Sequence, residues 1–312
     1  MSNGFLYLAT VLIWGSTWIA IEFQLGTVAP EVSIFYRYLL AAALLFSWCR
    51  YRGLKLDFDR RAHGKFFMLG VLLFSLNYIT AYHAQIYITS AMTAICFSTM
   101  VWMNIINARL FFGTRSDFRV VGGSLLGVIG IAVLFVPQIE EFTLSDATLV
   151  GGGLAVSGAF LASLGNMVSQ ASQKQGLPII QSNAWGMLYG ALLTGSVAAV
   201  QGLPFNFDTS QGYVLSLLYL SVAGSILAFG SYLTLLGRIG AHKAGYAMVM
   251  FPVVALILSV LFEGLQLSNS ILAGMALVLA GNVFILRGAG RSTQPVSSQP
   301  DNELRLATER LQ

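Results

Sequence analysis

The chain has 312 residues, of which 56% are hydrophobic and only 10% are charged, and its mean hydropathy is +0.74. Soluble domains carry about 25% charged residues, so this composition excludes a soluble fold and predicts an integral membrane protein. The net charge of +4 does not indicate nucleic-acid binding, and the two cysteines do not indicate a disulfide or metal framework. The sequence contains no GxxxxGK(S/T) phosphate loop, so nucleotide hydrolysis by that route is not expected. No cofactor is predicted.

Ten continuous apolar runs follow one another along the chain, and turn residues such as Pro30, Pro137 and Gly202 separate them. A bilayer core of about 30 Å requires roughly 20 apolar residues per helix, and the runs lack the two-residue alternation of membrane β-strands. The sequence therefore predicts an all-α protein with ten transmembrane helices. The predicted helices are Phe5–Phe23, Val32–Trp48, Phe66–Tyr87, Ser90–Phe112, Val120–Val136, Ala147–Ser172, Ile179–Val200, Tyr213–Leu236, Ala241–Phe262 and Ser268–Leu286.

The lysines and arginines predict an orientation for the chain. If the amino terminus lies inside, sixteen of the 17 basic residues fall in inside segments, whereas the outside segments contain acids such as Glu140, Glu141 and Glu263. Because cytoplasmic loops are enriched in Lys and Arg, both termini are predicted to be cytoplasmic, in a cell membrane that we expect to be a bacterial inner membrane. Segment 288–312, rich in Ser, Gln and Pro, is predicted to be a disordered cytoplasmic tail.

The first two predicted helices each contain an unusual residue pattern. Trp14, Trp18 and Glu22 share one face of the first helix, since residues three and four apart are neighbours. This face either packs against another helix or forms an aromatic wall of a cavity. Arg37 is the one basic residue that falls outside the inside segments, about one turn from the outer end of the second helix; its side chain reaches the outer headgroups, pairs with Glu22 or Glu31, or contacts substrate, and a structural or gating role is favoured.

The third helix has four residues with polar groups on one face, namely Ser75, Tyr78, Tyr82 and Gln85, and His83 lies beside them. Polar side chains within a membrane face protein or water rather than lipid, so this face is predicted to line a cavity. His83 binds substrate, carries a proton or hydrogen-bonds a backbone carbonyl, and the sequence favours the carbonyl.

Further candidate site residues lie on the fourth to ninth helices, where packing between helices is the competing interpretation. Asparagines such as Asn104 and Asn107 often pair membrane helices, and tryptophans near a surface often belong to an interfacial belt. The remaining candidate substrate contacts are Ser98, Thr99, Trp102, Asn166, Trp185, Tyr189, Phe229, Tyr232 and Tyr246, and Pro252 is a structural or gating candidate.

The two halves of the chain are related by a weak internal repeat. At an offset of 150 residues, Ser75 aligns with Ser225 and Tyr82 with Tyr232. Five helices separate equivalent positions, and because five is odd the second half must cross the membrane in the opposite sense. Residues 1–136 and 147–287 are therefore predicted to form two five-helix repeats of inverted topology, an architecture that lets carriers open alternately to either side.

Three apolar stretches contain motifs that are familiar from one superfamily: VLIWGSTWIAIEF on the first helix, RYLLAAALL on the second and AMTAICFSTMVWMNIINARLFFG on the fourth. They resemble the drug/metabolite transporter superfamily, and more closely its ten-helix EamA-type branch, over about residues 5–287. Arg37 and Pro252 match the family pattern, whereas Trp102 stands where the family has a second proline. Within the branch, the aromatic-rich first, third and fourth helices look most similar to YddG-type exporters of aromatic amino acids.

The repeat and the resemblance together predict a transporter rather than an enzyme. The resemblance implies export of aromatic or hydrophobic amino acids, or similar metabolites, by alternating access around a cavity lined by the first, third, fourth, sixth, eighth and ninth helices. No carboxylate is predicted at mid-depth, so facilitated diffusion or exchange is expected rather than proton coupling. Cationic drugs are the alternative cargo, and a membrane enzyme acting on a lipid-linked substrate is a remote alternative. The expected partners are a small-molecule substrate and the lipid bilayer, without nucleic acid, and a monomer is compatible with the sequence.

Overall fold

The computed structural model describes residues 1–88, 90–134, 146–262 and 268–289, and all of the regular secondary structure in these ranges is helical. No β-strand occurs in these ranges, which confirms the prediction of an all-α protein. The helical units are α1 (Asn3–Glu22), α2 (Pro30–Tyr51), α3 (Arg60–Tyr87), α4 (Ser90–Ser98 and Met100–Phe112), α5 (Phe118–Leu134), α6 (Asp146–Lys174), α7 (Ile179–Val200), α8 (Gln211–Ile239), α9 (Ala247–Phe262, after the single turn Ala241–Ala244) and α10 (Asn269–Ala289).

Three predicted features lie wholly or partly outside the described residues. The loop between α5 and α6 contains Glu140 and Glu141, and the loop before α10 contains Glu263. The predicted tail 288–312 continues beyond the end of α10. The predictions for these segments therefore stay predictions.

Five helices in the described ranges are individually long and apolar enough to cross a bilayer, as judged by length and composition. They are Asn3–Glu22, Pro30–Tyr51, Arg60–Tyr87, Leu149–Lys174 and Gln211–Ile239. Phe118–Gly130 and Leu272–Gly281 are shorter apolar helices. The helices α3 and α8 contain 28 and 29 residues, and at about 1.5 Å per residue both exceed the thickness of a bilayer core.

Capping residues and prolines determine where several helices begin and end. Asp59 Oδ1 accepts a hydrogen bond from Ala62 N at 2.9 Å, and Pro30 occupies the first turn of α2, where a missing N–H costs nothing. Gly113, with φ 64, terminates α4 in the left-handed conformation that glycine adopts most easily. Because Asp59 caps α3, the helix begins before the predicted start at Phe66.

Equivalent helices of the two halves pack against each other in antiparallel orientation. Trp185 Nε1, near the start of α7, donates to Leu56 O beyond the end of α2 at 3.2 Å. Tyr36 OH, near the start of α2, donates to Phe205 O beyond the end of α7 at 3.0 Å. The helices α2 and α7 hold the same position in their repeats, so these contacts agree with the predicted inversion.

The second antiparallel pair, α5 and α10, depends on glycines at the contact. A Cβ at Gly130 would lie 2.8 Å from Val278 N, and a Cβ at Gly281 would lie 2.6 Å from Gly123 O. Early residues of α5 thus meet late residues of α10, as an inverted repeat requires. Small residues allow two membrane helices to approach closely enough for their backbones to touch.

The helices α3 and α8 each contain a π-helical segment at equivalent positions, Leu72–Leu76 in α3 and Leu220–Leu227 in α8. Ser75 and Ser225, which the repeat aligns, lie in these two segments. Ser75 Oγ bonds a threonine hydroxyl of α7 at 2.7 Å, and Ser225 Oγ accepts from an arginine of α2 at 2.9 Å. Such segments are rare and frequently occur at functional sites.

Candidate functional site

A cavity lies between six helices, α1, α3, α4, α6, α8 and α9. About 60 Å³ of it can hold the centres of water-sized molecules, within about 580 Å³ of empty volume that includes open solvent. These are the six helices to which the sequence assigned a central cavity. The lining residues are Trp14, Thr17, Trp18, Ile21, Leu73, Asn77, Tyr78, Ala81, Phe97, Met100, Ala162, Asn166, Phe229, Met248 and Phe251.

Trp14 of α1 lies where α1 meets α8 and α9. The centre of its ring lies 4.8 Å from that of Phe229, 5.1 Å from Tyr232 and 5.7 Å from Phe251. Its indole Nε1 donates to Gly224 O at 2.9 Å, and Gly224 belongs to the π-helical segment of α8, where backbone bonding departs from the α-helical pattern. Trp14 therefore joins helices and forms part of the cavity wall at the same time.

Two lining residues carry polar atoms that have no hydrogen-bond partner among the described residues. Trp18 Nε1, in α1, is one, although the ring packs edge to face on Phe97 at 5.2 Å. Asn77 Oδ1, in α3, is the other. Trp18 and Asn77 are only 8% and 5% exposed. Because buried polar atoms in proteins are nearly always paired, both atoms are available to a molecule in the cavity.

Asn166 of α6 also lines the cavity, but its amide is already paired. Its Nδ2 donates to Tyr232 OH at 2.9 Å and to Asn104 Oδ1 at 3.2 Å. These bonds join α6 to α8 and α4. Asn104 thus has the interhelical role that is common for asparagine in membrane helices.

Arg37 lies behind the cavity wall and is buried, at 1% exposed, rather than extended to a surface. Its Nε donates to Ser225 Oγ at 2.9 Å, and Nη1 lies 3.5 Å from Tyr82 OH. The guanidinium carbon lies 4.6 Å from the ring centre of Tyr78, which lines the cavity, and 5.2 Å from that of Tyr38. A guanidinium at this distance from an aromatic face is stabilised by cation–π attraction. The described contacts of Arg37 are thus hydroxyl groups and aromatic rings.

His83 forms an ion pair with Glu31 rather than the favoured bond to a backbone carbonyl. Its Nε2 lies 2.7 Å from Glu31 Oε1, and this is the one ion pair within the described part of the chain. Glu31 is buried in the first turn of α2, whereas His83 is partly exposed near the end of α3. The pair joins α2 to α3. Glu31 was one of the two acids predicted as possible partners of Arg37, and it pairs with His83 instead.

Of the fourteen predicted substrate contacts, five line the cavity and two pack directly behind lining residues. The five are Trp14, Trp18, Tyr78, Asn166 and Phe229. Tyr82 and Tyr232 are almost fully buried; the first touches Arg37, and the second packs on Trp14 and receives the bond from Asn166.

Trp185 and Tyr189 of α7 lie away from the cavity, against the start of α3 and the segment that connects it to α2. The Tyr189 hydroxyl lies 2.9 Å from His63 Nδ1, and Trp185 packs on the His63 ring with ring centres 4.7 Å apart. The two side chains are stacked, with ring centres 5.9 Å apart. These contacts are structural, because they attach α7 to the first turn of α3, while Trp185 also bonds Leu56 O in the segment before it.

Tyr246 and Trp102 belong to a separate apolar cluster. Tyr246 OH donates to Gly123 O at 3.1 Å, so the side chain bridges to α5, and Trp102 of α4 packs against the same cluster. Neither residue lines the cavity. The family pattern expects a proline at Trp102, and the structure interrupts α4 three residues earlier, at Thr99.

The interruption of α4 is a tight turn. Thr99 N donates to Cys96 O at 3.2 Å and Trp102 N donates to Thr99 O at 3.0 Å, a three-residue spacing that is typical of a 3₁₀ turn. The Thr99 hydroxyl also donates to Cys96 O. Thr99 thus has a local structural role, and its neighbour Ser98 is buried without lining the cavity.

The two remaining gating candidates lie outside the cavity lining. Glu22 ends α1 and is exposed. Pro252 lies within α9, and its side chain is outside the described part of the chain.

Several cavity residues were not predicted from the sequence. Among them, only Thr17 and Asn77 are polar. Asn77 shares a face of α3 with Leu73 and Ala81, which also line the cavity. Its polar side chain in the middle of an apolar helix was the one feature of the sequence that could have identified this face. Apolar residues such as Met248 carry no such indication, because a cavity-facing and a lipid-facing side chain have the same composition.

Helices from both parts of the chain surround one cavity, as they do in secondary transporters. Two successive parts of the chain, residues 2–136 and 149–287, match the EamA-like transporter family. The protein therefore belongs to the EamA-like transporter family, within the drug/metabolite transporter superfamily that the sequence motifs resemble, and is a multi-pass membrane protein.

Several curated proteins are similar to nearly the whole chain. A protein of Salmonella typhimurium named "Probable amino-acid metabolite efflux pump" is 27% identical over 91% of this chain and 96% of its own length. The uncharacterized transporter YoaV of Bacillus subtilis is 25% identical over 88% of this chain and 93% of its own. A crystal structure of 17% sequence identity superposes with a TM-score of 0.77 over 94% of this chain and 99% of its own, which supports the fold alone.

Proposed function

We propose that the protein exports amino acids, chiefly aromatic and hydrophobic ones, or similar small metabolites, by alternating access and without ATP. The observation that carries the proposal is the composition of the cavity. Its surface consists mainly of aromatic and aliphatic side chains, and its polar side chains include Thr17, Asn77, Tyr78 and Asn166. A cavity of this kind suits a ligand with an apolar body and a compact polar head.

The aromatic rings supply the contacts for an apolar side chain. Trp14, Trp18, Phe97 and Phe229 come from three different helices, so they can enclose a ring or an alkyl chain from several directions. Aromatic pairs favour offset or edge-to-face geometry, and the existing contacts of Trp14 and Trp18 already have edge-to-face geometry. A planar ligand ring extends the same packing.

Two of the similar proteins support an amino-acid cargo. The proteins named "Probable amino-acid metabolite efflux pump" from Salmonella typhimurium and Escherichia coli are 27% and 23% identical to this chain. The alternative cargo, an organic cation, is less compatible with the site. Aromatic rings do bind cations, but the guanidinium of Arg37 already lies 4.6 Å from the ring centre of Tyr78, and its positive charge repels a second cation.

The inverted halves support alternating access. If equivalent helices exchange their packing, the cavity opens first to one side and then to the other. All six helices that line the cavity belong to one chain, so a monomer suffices for this mechanism. We propose a cell membrane, specifically a bacterial inner membrane, with both termini on the cytoplasmic side.

We propose facilitated diffusion or exchange as the mode of transport. The cavity lining contains no carboxylate among the described residues. The one described ion pair, His83 with Glu31, lies outside that lining. A proton-driven carrier usually has an ionisable group on the substrate pathway.

The test is counterflow in proteoliposomes that contain the purified protein. Vesicles loaded with unlabelled L-tryptophan, L-phenylalanine or L-leucine should accumulate the labelled amino acid faster than protein-free vesicles, and tetraethylammonium should not compete. Exchange of tetraethylammonium but of none of the amino acids would contradict the proposed cargo. Uphill uptake driven by an imposed pH gradient, and lost in Glu31→Gln, would contradict the proposed mode.

A further inference from the structure

The cavity is lined by two tryptophans and two asparagines, and within each residue type one side chain is hydrogen-bonded by the protein while the other has a polar atom without a partner in the described part of the chain. Both Trp14 and Trp18 line it, but the Trp14 N–H donates to Gly224 O whereas the Trp18 N–H has no partner among the described residues. Both Asn77 and Asn166 line it, but the Asn166 amide is bonded whereas Asn77 Oδ1 is not. The protein thus provides hydrogen-bond partners for Trp14 and Asn166, whereas Trp18 Nε1 and Asn77 Oδ1 remain available to a molecule in the cavity.

The two unpaired atoms are complementary in chemistry. Trp18 Nε1 can only donate a hydrogen bond, and Asn77 Oδ1 can only accept one. Both residues are more than nine-tenths buried, so water reaches them poorly and an unpaired state is costly. A ligand that satisfies both atoms must offer an acceptor to α1 and a donor to α3.

We propose that Trp18 and Asn77 recognise the polar head of an α-amino acid, with the indole N–H donating to the carboxylate and the carboxamide oxygen accepting from the ammonium group. This inference deepens the proposed function and rests on it. An amine without a carboxylate leaves Trp18 unpaired, and an acid without an ammonium group leaves Asn77 unpaired. Only a ligand with both groups satisfies both side chains.

The charge of Arg37 agrees with this assignment. The guanidinium touches the ring of Tyr78, a lining residue one position after Asn77. A positive charge behind the wall favours a ligand with a carboxylate over one with an ammonium group alone. The aromatic surface then holds the side chain, and the two unpaired atoms hold the head.

The experiment measures equilibrium binding to the purified full-length protein in detergent, by isothermal calorimetry. The probes are L-tryptophan, L-phenylalanine and L-leucine, together with tryptamine, which lacks the carboxylate, and indole-3-propionate, which lacks the ammonium group. Trp18→Phe removes the N–H and keeps an aromatic ring, and Asn77→Leu removes the amide at similar volume.

The expected result is a crossed pattern. Trp18→Phe should weaken binding of L-tryptophan and indole-3-propionate by about 10- to 100-fold and leave tryptamine unchanged, since hydrogen bonds to charged groups contribute that much. Asn77→Leu should weaken L-tryptophan and tryptamine by a similar factor and leave indole-3-propionate unchanged. Asn77→Asp keeps an acceptor and should bind tryptamine more tightly than the wild type.

Two matched controls separate recognition from structure. Trp185→Phe removes an indole N–H that bonds Leu56 O away from the cavity, and Asn183→Leu removes a buried amide of α7 whose Oδ1 is also unpaired among the described residues. Neither control should alter binding. An equal loss for all probes, no loss in either variant, or binding of none of the amino acids would each overturn the inference.

The outcome is distinct from that of the transport assay. If the wild type exchanges amino acids but the crossed pattern is missing, the proposed function stands and the roles of Trp18 and Asn77 are wrong. If the crossed pattern is present but no exchange occurs, the recognition stands and the transport proposal is wrong.

Discussion

Arg37 allows a prediction whose magnitude follows from the geometry. Its guanidinium carbon lies 4.6 Å from the ring centre of Tyr78. A ligand charge in contact with the opposite face of that ring would lie about 8 Å from the guanidinium, and at an effective dielectric constant of about 20 the interaction energy is about 2 kcal/mol. We therefore expect Arg37→Met to weaken binding of indole-3-propionate about 30-fold and to strengthen binding of tryptamine by up to the same factor. L-Tryptophan, with both charges, should change less than either.

The stability of Arg37→Met should change little. The substitution removes a charge-assisted hydrogen bond to Ser225, worth about 1.5–3 kcal/mol, and a buried cation–π contact of about 2 kcal/mol. It also removes a buried charge whose desolvation costs several kcal/mol. These terms nearly cancel, so the free energy of unfolding should change by less than about 2 kcal/mol.

The assay is competition binding with a thermal unfolding measurement on the same samples, and Arg37→Lys is the control that keeps the charge. Opposite shifts for the acid and the amine in Arg37→Met, with smaller shifts in Arg37→Lys, are expected. If the acid and the amine shift in the same direction, the electrostatic reasoning is refuted, because only a change in cavity shape affects both ligands alike.

Two further predictions concern the fold. Gly70→Val should lower the free energy of unfolding by about 1–3 kcal/mol, because a Cβ there would lie 2.8 Å from Gly190 N. Gly64→Val is the control, because there is open space around its Cβ. Equal thermal stability of the two variants would contradict the close α3–α7 contact. In a cysteine-free background, Lys55→Cys should react with impermeant thiol reagents only from the cytoplasmic side and Asp208→Cys only from outside, and reaction of both from one side would exclude the predicted orientation.

The positions of the helices could be predicted from the sequence because hydropathy determines them. The predicted bounds of the seventh helix coincide with those of α7, and the other predicted helices differ at their ends by a few residues. The largest differences are at the start of α9, where Ala241–Ala244 form a separate turn, and at the start of α3, where the cap at Asp59 extends the helix into a basic segment. Hydropathy cannot indicate this extension, because the added turns contain Arg60, Arg61 and Lys65.

A few aligned residues predict the inverted repeat, and the contacts of α2 with α7 and of α5 with α10 agree with it, whereas nothing in the sequence predicts the π-helical segments. Ser75 and Ser225 aligned in the sequence, but nothing in their neighbours predicts a locally widened turn. The π-helical geometry of α8 coincides with tertiary contacts such as the hydrogen bond from Arg37 to Ser225. Long-range contacts of this kind cannot be deduced from local propensity.

The cavity could be predicted at the level of helices but only partly at the level of residues. Aromatic and polar residues on one face of a helix predicted Trp14, Trp18 and Tyr78, which line it. The same criterion also selected Trp185 and Tyr189, because an aromatic stripe that packs on the first turn of α3 has the same spacing. Spacing identifies a face of a helix but not the neighbour that this face meets.

The two halves are asymmetric because large side chains in one half correspond to glycines in the other. Aligning the first residues of α2 and α7 pairs Arg37 with Gly186, and the repeat offset pairs Phe74 with Gly224. Phe74 packs against Gly186, where an added Cβ would lie 2.9 Å from its ring, and Arg37 packs against Gly224, where an added Cβ would lie 3.3 Å from Nη2. Both large side chains therefore belong to the first half, and both glycines belong to the second.

This asymmetry has an electrostatic consequence, because the large side chain is a neutral ring at one of the two equivalent contacts and a guanidinium at the other. The two halves are predicted to be inverted repeats, the arrangement that alternating access uses, but Arg37 contributes its positive charge from the first half only. A zwitterion in the cavity therefore experiences a field that does not reverse when the halves exchange packing. We expect the carboxylate of the substrate to stay oriented towards α2 in both states, so that the ligand need not rotate during transport.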